Sequence, residues 1–174
     1  MDYYVAFYRG NGTWMDWVVR KATRSPFSHC ELIRASVPPR RGDTVLCISA
    51  SGRDNGVRIK EIELKDGRWD IYAVPWAPED AWERAASYLD QPYELWTMVI
   101  SQLFNFRRSN RGKWFCSELI ACALKLNMPH AKSPGDLLRS IDEQRQVYRL
   151  ARSRYGNRKM RDDTSFADEM EHPA

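Results

Sequence analysis

The stretch Phe27-Ser28-His29-Cys30-Glu31-Leu32-Ile33 decides how this chain is read. It follows Ser25-Pro26, where a preceding helical pattern has ended, and it begins a run that suits a β-strand. At the two-residue period of a strand, His29 and Glu31 project from one face, while Cys30 and Leu32 project from the other. A carboxylate beside an imidazole can fix its tautomer and stabilise its charged form. Glu31 suits an exposed polar place on an edge strand equally well.

Downstream, further short β-type runs follow: Cys30 to Ser36, Thr44 to Ala50, Val57 to Leu64 and Trp69 to Val74. Their separators are Pro38 to Asp43, Arg53-Asp54-Asn55-Gly56 and Lys65-Asp66-Gly67, which carry the Gly, Asn, Asp and Pro that tight turns require. The pattern predicts an antiparallel meander. Upstream, the aromatic and β-branched run Tyr3 to Tyr8 predicts another strand, stopped by Gly10-Asn11-Gly12. Thr13 can then cap a helix running to Thr23, with Trp14, Trp17, Val18 and Ala22 as its apolar face.

Beyond Pro75 the pattern turns helical. Pro78-Glu79-Asp80 suits a first helical turn, and Trp82, Ala85, Ala86 and Leu89 form an apolar face. Further helices are predicted over Glu94 to Phe104, Trp114 to Leu126 and, briefly, from Ser133-Pro134-Gly135-Asp136; Gln146 to Leu150 suits a last strand. Residues 1–150 are thus read as one domain, and residues 151–174, basic and then acidic, as a mobile tail.

A chain of 174 residues with 43% hydrophobic and 29% charged residues can bury a core and does not have the composition of a disordered segment. Its apolar runs fall well short of the roughly 20 residues of a membrane span, and no targeting segment is visible. A cytoplasmic location is therefore expected. The four cysteines, Cys30, Cys47, Cys116 and Cys122, have no CxxC spacing and no His cluster beside them. They are read as reduced thiols with neither a zinc site nor a disulfide framework. The net charge of +4 is mild, so nucleic acid is not the expected partner.

One cysteine is placed for chemistry. The basic loop Arg107 to Lys113 leads into Trp114-Phe115-Cys116-Ser117-Glu118, the start of an apolar helix. A thiol there feels the positive end of the helix dipole, which favours thiolate, and first-turn N–H groups are candidate oxyanion donors. Position alone also suits a small buried hydrophobe. Of the three histidines, His130 follows Pro129 and His172 lies in the tail, so His29 is the economical partner for Cys116.

The stretch from Phe7 to Ile33, the turn Gly52 to Val57, Gln91-Pro92-Tyr93-Glu94 and Trp114 to Ile120 together resemble the circularly permuted NlpC-like branch of papain-fold cysteine hydrolases. That branch is itself similar to lecithin:retinol acyltransferase-like enzymes. The resemblance covers about residues 3 to 140. It implies an α+β permuted papain-like fold, with a small antiparallel sheet or barrel packed on helices. It further implies a nucleophilic Cys116 at a helix N-terminus facing His29 at a strand start.

In the resembled family a third polar residue orients the base from the strand after the His strand. Here that strand offers Ser49 or Ser51, uncharged where a charged or amide side chain is usual, so Glu31 is favoured for the role and Ser49 is its alternative. Tyr8, Arg53, Trp69 and Tyr93, at strand ends and turns, are candidates to line a cleft, with ordinary packing as the other reading. The expected activity is cysteine-dependent hydrolysis of amide or peptide bonds through Cys116, His29 and Glu31. The resemblance points to peptidoglycan-like or peptide-conjugate substrates, without metal or other cofactor. Acyl transfer or thioester hydrolysis on lipid-like substrates is one alternative, and a non-catalytic phage-type accessory protein binding a host partner is another. A protein partner on the C-terminal tail is left open.

Overall fold

Every residue from Tyr3 to Phe7 is buried, and this places Asp2–Tyr8 (β1) inside the sheet. In the computed structural model the described residues are 1–10, 12–54, 56–89, 115–127 and 133–170, with side chains described up to residue 154 apart from that of Met15. His29–Ala35 (β2), Thr44–Ser51 (β3), Gly56–Glu63 (β4) and Trp69–Ala73 (β5) complete a five-stranded sheet in the order β4-β3-β2-β1-β5. All neighbours are antiparallel. The fold is α+β, and the sheet is open, with β4 and β5 at its edges; it does not close into a barrel.

Alternation divides the sheet residues between two apolar layers. Val5, Phe7, Cys30, Leu32, Ile48 and Ala50 pack on the helices, whereas Tyr4, Ala6, Ile33, Cys47, Leu64 and Trp69 form a second cluster. Strand β2 is therefore covered on both sides. Cys30 and Glu31, adjacent in sequence, are both buried.

The helices are Trp14–Thr23 (α1), Ala81–Ala86 (α2), Cys116–Ala123 (α3) and Pro134–Met170 (α4). Helix α3 packs against β2 and β3, with Leu119 and Ile120 fully buried. Helix α4 adds Leu137 and Ile141 to the same core. No helix among the described residues is long and apolar enough to cross a membrane.

Three expectations are corrected. Trp14 and Trp17 are 67% and 58% exposed, while Val19 and Asp16 are buried, so α1 presents its tryptophans outward. The reason is electrostatic as well as apolar: Asp16 turns inward to serve the cap and a strand contact described below. Gln146 to Leu150 belong to α4, whose backbone stays helical through Met170, so the expected last strand and short helix are one long helix. A run with Arg145, Arg149 and Arg152 at 4-3 spacing and few β-branched residues is compatible with helix throughout. Helix α2 ends at Ala86, short of Leu89, which is half exposed. The helix expected over Glu94 to Phe104 lies outside the described residues.

The loop after β1 is shaped by Tyr8. A Cβ on Gly10 would stand 2.4 Å from the Tyr8 ring, so a larger residue there requires that ring to move.

Candidate active site

The position of His29 is fixed from both sides of the peptide before it. Thr13 and Asp16 form a capping box at the start of α1: Thr13 N–H donates to Asp16 Oδ2 at 2.8 Å, and Asp16 N–H donates to Thr13 Oγ1 at 3.3 Å. Asp16 Oδ1 also accepts from Ser28 Oγ at 3.0 Å, and Oδ2 accepts from Arg53 at 3.0 Å. Ser28 N–H donates to the Tyr8 carbonyl at 3.0 Å. One carboxylate thus joins the helix cap, the β3–β4 turn and the residue preceding His29.

From that anchor His29 begins β2, half-buried, and its Nε2 lies 2.8 Å from Glu31 Oε1. The pairing follows from the strand period, since the two residues share a face. Glu31 is 1% exposed. A lone carboxylate there would be strongly disfavoured, and the compensation is Arg58, which donates through Nη1 to Oε2 at 2.7 Å and through Nη2 to Oε1 at 2.5 Å. Arg58 Nε donates to Asp54 at 3.0 Å, and Lys60 donates to the other Asp54 oxygen at 3.1 Å. Charges alternate outward from the buried carboxylate.

Cys116 is the first residue of α3 and is 2% exposed. It precedes the first helical hydrogen bond, from Leu119 N–H to the Phe115 carbonyl at 2.9 Å. Hydrogen bonding from the Cys30 thiol, with the charge of His29 and the Cys30 backbone N–H, outweighs burial and holds Cys116 well below the ordinary thiol range. Burial pulls the His29 ring down, but Cys116 and Glu31 prevail and lift it to about 10. Glu31 is lowered to about 2: burial opposes ionisation, while Arg58 and His29 outweigh it. These shifts all favour the charged forms, a Cys116 thiolate beside a His29 imidazolium and a Glu31 carboxylate beside the Arg58 guanidinium. Glu31 engages Nε2, so Nδ1 is the other nitrogen of the ring.

The structure thus brings Cys116, His29 and Glu31 together. Ser49 is buried and donates to the Cys30 carbonyl at 2.7 Å, so its hydroxyl braces the β2 backbone. Tyr8 pairs directly with His29 across β1 and β2, and with Trp69 across β1 and β5; the Tyr8 and Trp69 ring centroids are 4.9 Å apart. Tyr8 and Trp69 therefore stand side by side next to the strand position of His29, a placement that ordinary packing also accounts for. Arg53 belongs to the Asp16 contact at the same end. Tyr93 lies outside the described residues.

Sequence reasoning missed Arg58 and Asp16. Arg58 had a readable signal: the turn before Gly56 pairs Ser49 with Arg58, and Leu32 with Ile48 sets Glu31 in step with Ser49. Counting residues across the hairpin would have put the guanidinium on the Glu31 face. Asp16 is three residues after Thr13, the spacing of a capping box, with Asp in place of the usual Glu. No protein-family model matches this chain, and no curated protein does either.

Proposed function

We propose that this protein is a cysteine-dependent hydrolase of amide or peptide bonds, with a permuted papain-like arrangement of its helices and sheet. The observation that carries this reading is the contact of the His29 ring with a fully buried, Arg58-clamped Glu31, in a site where Cys116 begins a helix. Cys116 thiolate attacks the substrate carbonyl carbon, forming a C–S bond and an oxyanion near the first turn of α3. His29 imidazolium protonates the leaving amine as the C–N bond breaks. Water then attacks the thioester, His29 accepts its proton, and the C–S bond breaks to release the carboxylic acid and restore the thiolate.

The resemblance to NlpC-like enzymes favours peptidoglycan-like or peptide-conjugate substrates. The test is incubation with muropeptides and short peptide conjugates, read by product mass, with Cys116→Ala as the control. Cleavage that depends on Cys116 supports the reading; no cleavage and no acylated Cys116 with any of them counts against it.

A second reading rests on the near-complete burial of Cys116. A thiol so enclosed also suits a binding module that keeps the cluster as a structural core. Covalent trapping by a small acylating ester distinguishes the two, because a structural thiol accumulates no adduct.

A further inference from the structure

Cys30 is a thiol beside Cys116 that neither the proton transfers nor the charge clamp employs. It follows His29 in β2, faces the helices, and shares the buried cluster of Phe7, Leu32, Ile48, Leu119 and Cys116. Both thiols are buried in the core where α3 packs on β2, and the electrostatics couple them: Cys30 lowers Cys116 while Cys116 raises Cys30. The other thiols are elsewhere. Cys47 lies on the opposite face of the sheet and donates to the Lys60 carbonyl at 3.1 Å. Cys122 is six residues along α3, about 9 Å of helix rise from Cys116, beside Tyr88.

We propose that Cys30 is a resolving thiol for Cys116, so that a hydroperoxide closes the site reversibly as a Cys30–Cys116 disulfide. The inference rests on Cys116 being the reactive thiolate of the proposed function. The chemistry balances in two steps. Cys116 sulfur attacks one peroxide oxygen: an S–O bond forms, the O–O bond breaks, and the released hydroxide takes a proton to become water, leaving a sulfenic acid. Cys30 sulfur then attacks the Cys116 sulfur, the S–O bond breaks, and the departing hydroxide leaves with the Cys30 proton as water. Peroxide is reduced by two electrons, and the two thiols are oxidised to one disulfide.

Burial gives this arrangement its consequence. Hydrogen peroxide is small enough to reach an enclosed thiol that larger reagents reach slowly, and an adjacent thiol intercepts the sulfenic acid before a second peroxide converts it to sulfinic acid. Burial and the neighbouring thiolate and Glu31 keep Cys30 protonated, so it stays quiet until Cys116 is oxidised. A thiol reductant restores both groups.

The test treats the intact protein with hydrogen peroxide and reads free thiols and a non-reducing peptide map. The expected result is a fall from four free thiols to two, a linked Cys30–Cys116 peptide pair, and full recovery with dithiothreitol. In Cys30→Ala, Cys116 should instead advance to sulfinic acid that dithiothreitol does not reverse. If wild-type Cys116 itself accumulates sulfinic acid while Cys30 stays free, the proposal is overturned, whether or not the variant folds. Selective alkylation of Cys116 in the reduced protein is scored separately. Its retention alongside a failed disulfide defeats only the resolving role, whereas a Cys116 rate that climbs with pH as the other thiols' rates do defeats the thiolate reading itself.

Discussion

Glu31 Oε1 accepts from His29 Nε2 at 2.8 Å while the opposite side of the same carboxylate is held by Arg58. The carboxylate is thus divided between a group that can titrate and one that cannot. Arg58 keeps Glu31 ionised at all ordinary pH, and an ionised Glu31 keeps the imidazole charged.

Replacing Glu31 by Gln keeps the shape and removes the charge. Loss of an opposite charge at hydrogen-bond range lowers a pKa by about 1–3 pH units. In Glu31→Gln the His29 titration should therefore fall below about 10 by that amount, as read by NMR of the ring. An unmoved titration would contradict the coupling of these two residues.

Arg58→Ala leaves the carboxylate buried without its guanidinium. Breaking a buried pair from one side costs about 3–5 kcal/mol, and the loss should appear as a lower urea midpoint at an unchanged slope. A double replacement, Glu31→Met with Arg58→Met, should recover much of that stability while abolishing activity. The comparison separates the fold's need for the pair from the site's need for the charge.

The pH dependence of stability has a definite sign at each end. Glu31, lowered to about 2 from 4.5, contributes stability that is complete above about 4.5 and lost as pH falls towards 2. His29, raised to about 10 from 6.5, contributes stability that is complete below about 6.5 and lost as pH rises towards 10. Unfolding free energy should therefore be greatest between about pH 4.5 and 6.5 as far as these two groups decide it. Glu31→Gln should flatten the acid limb, and denaturant titrations at stepped pH measure both.

Asp16→Ala tests the anchor rather than the chemistry. Removing a capping side chain costs about 0.5–2 kcal/mol, and here Ser28 and Arg53 lose a partner as well. Cys116 alkylation should slow because the start of β2 is less firmly held. Asp16→Asn, which keeps acceptors for Ser28 and the cap, should restore part of both.

The sheet was legible because its strands are short, separated by strong turn signals and rich in residues of high β-propensity. The His29–Glu31 contact was legible for the same reason: two residues on one strand obey a period that needs no tertiary information. The outward tryptophans of α1 were not, because periodicity shows that a stripe exists but not whether a buried carboxylate such as Asp16 competes for the inward side. Arg58 needed register across two strand pairs, and the Cys30–Cys116 contact needed the packing of α3 on β2. The length of α4 was missed because a polar, arginine-rich run was read by its apolar gaps instead of its helix propensity.

The most direct measurement is the rate of Cys116 alkylation by iodoacetamide against pH, with the other three cysteines as internal references. Thiolate favoured by His29 and Cys30 predicts a Cys116 rate that stays level across the pH range in which the other thiols' rates climb, and it predicts that His29→Ala shifts the Cys116 rise upward in pH towards the ordinary thiol value of about 8.5. A Cys116 rate that climbs with pH like the other thiols, and that His29→Ala leaves unchanged, would contradict the account.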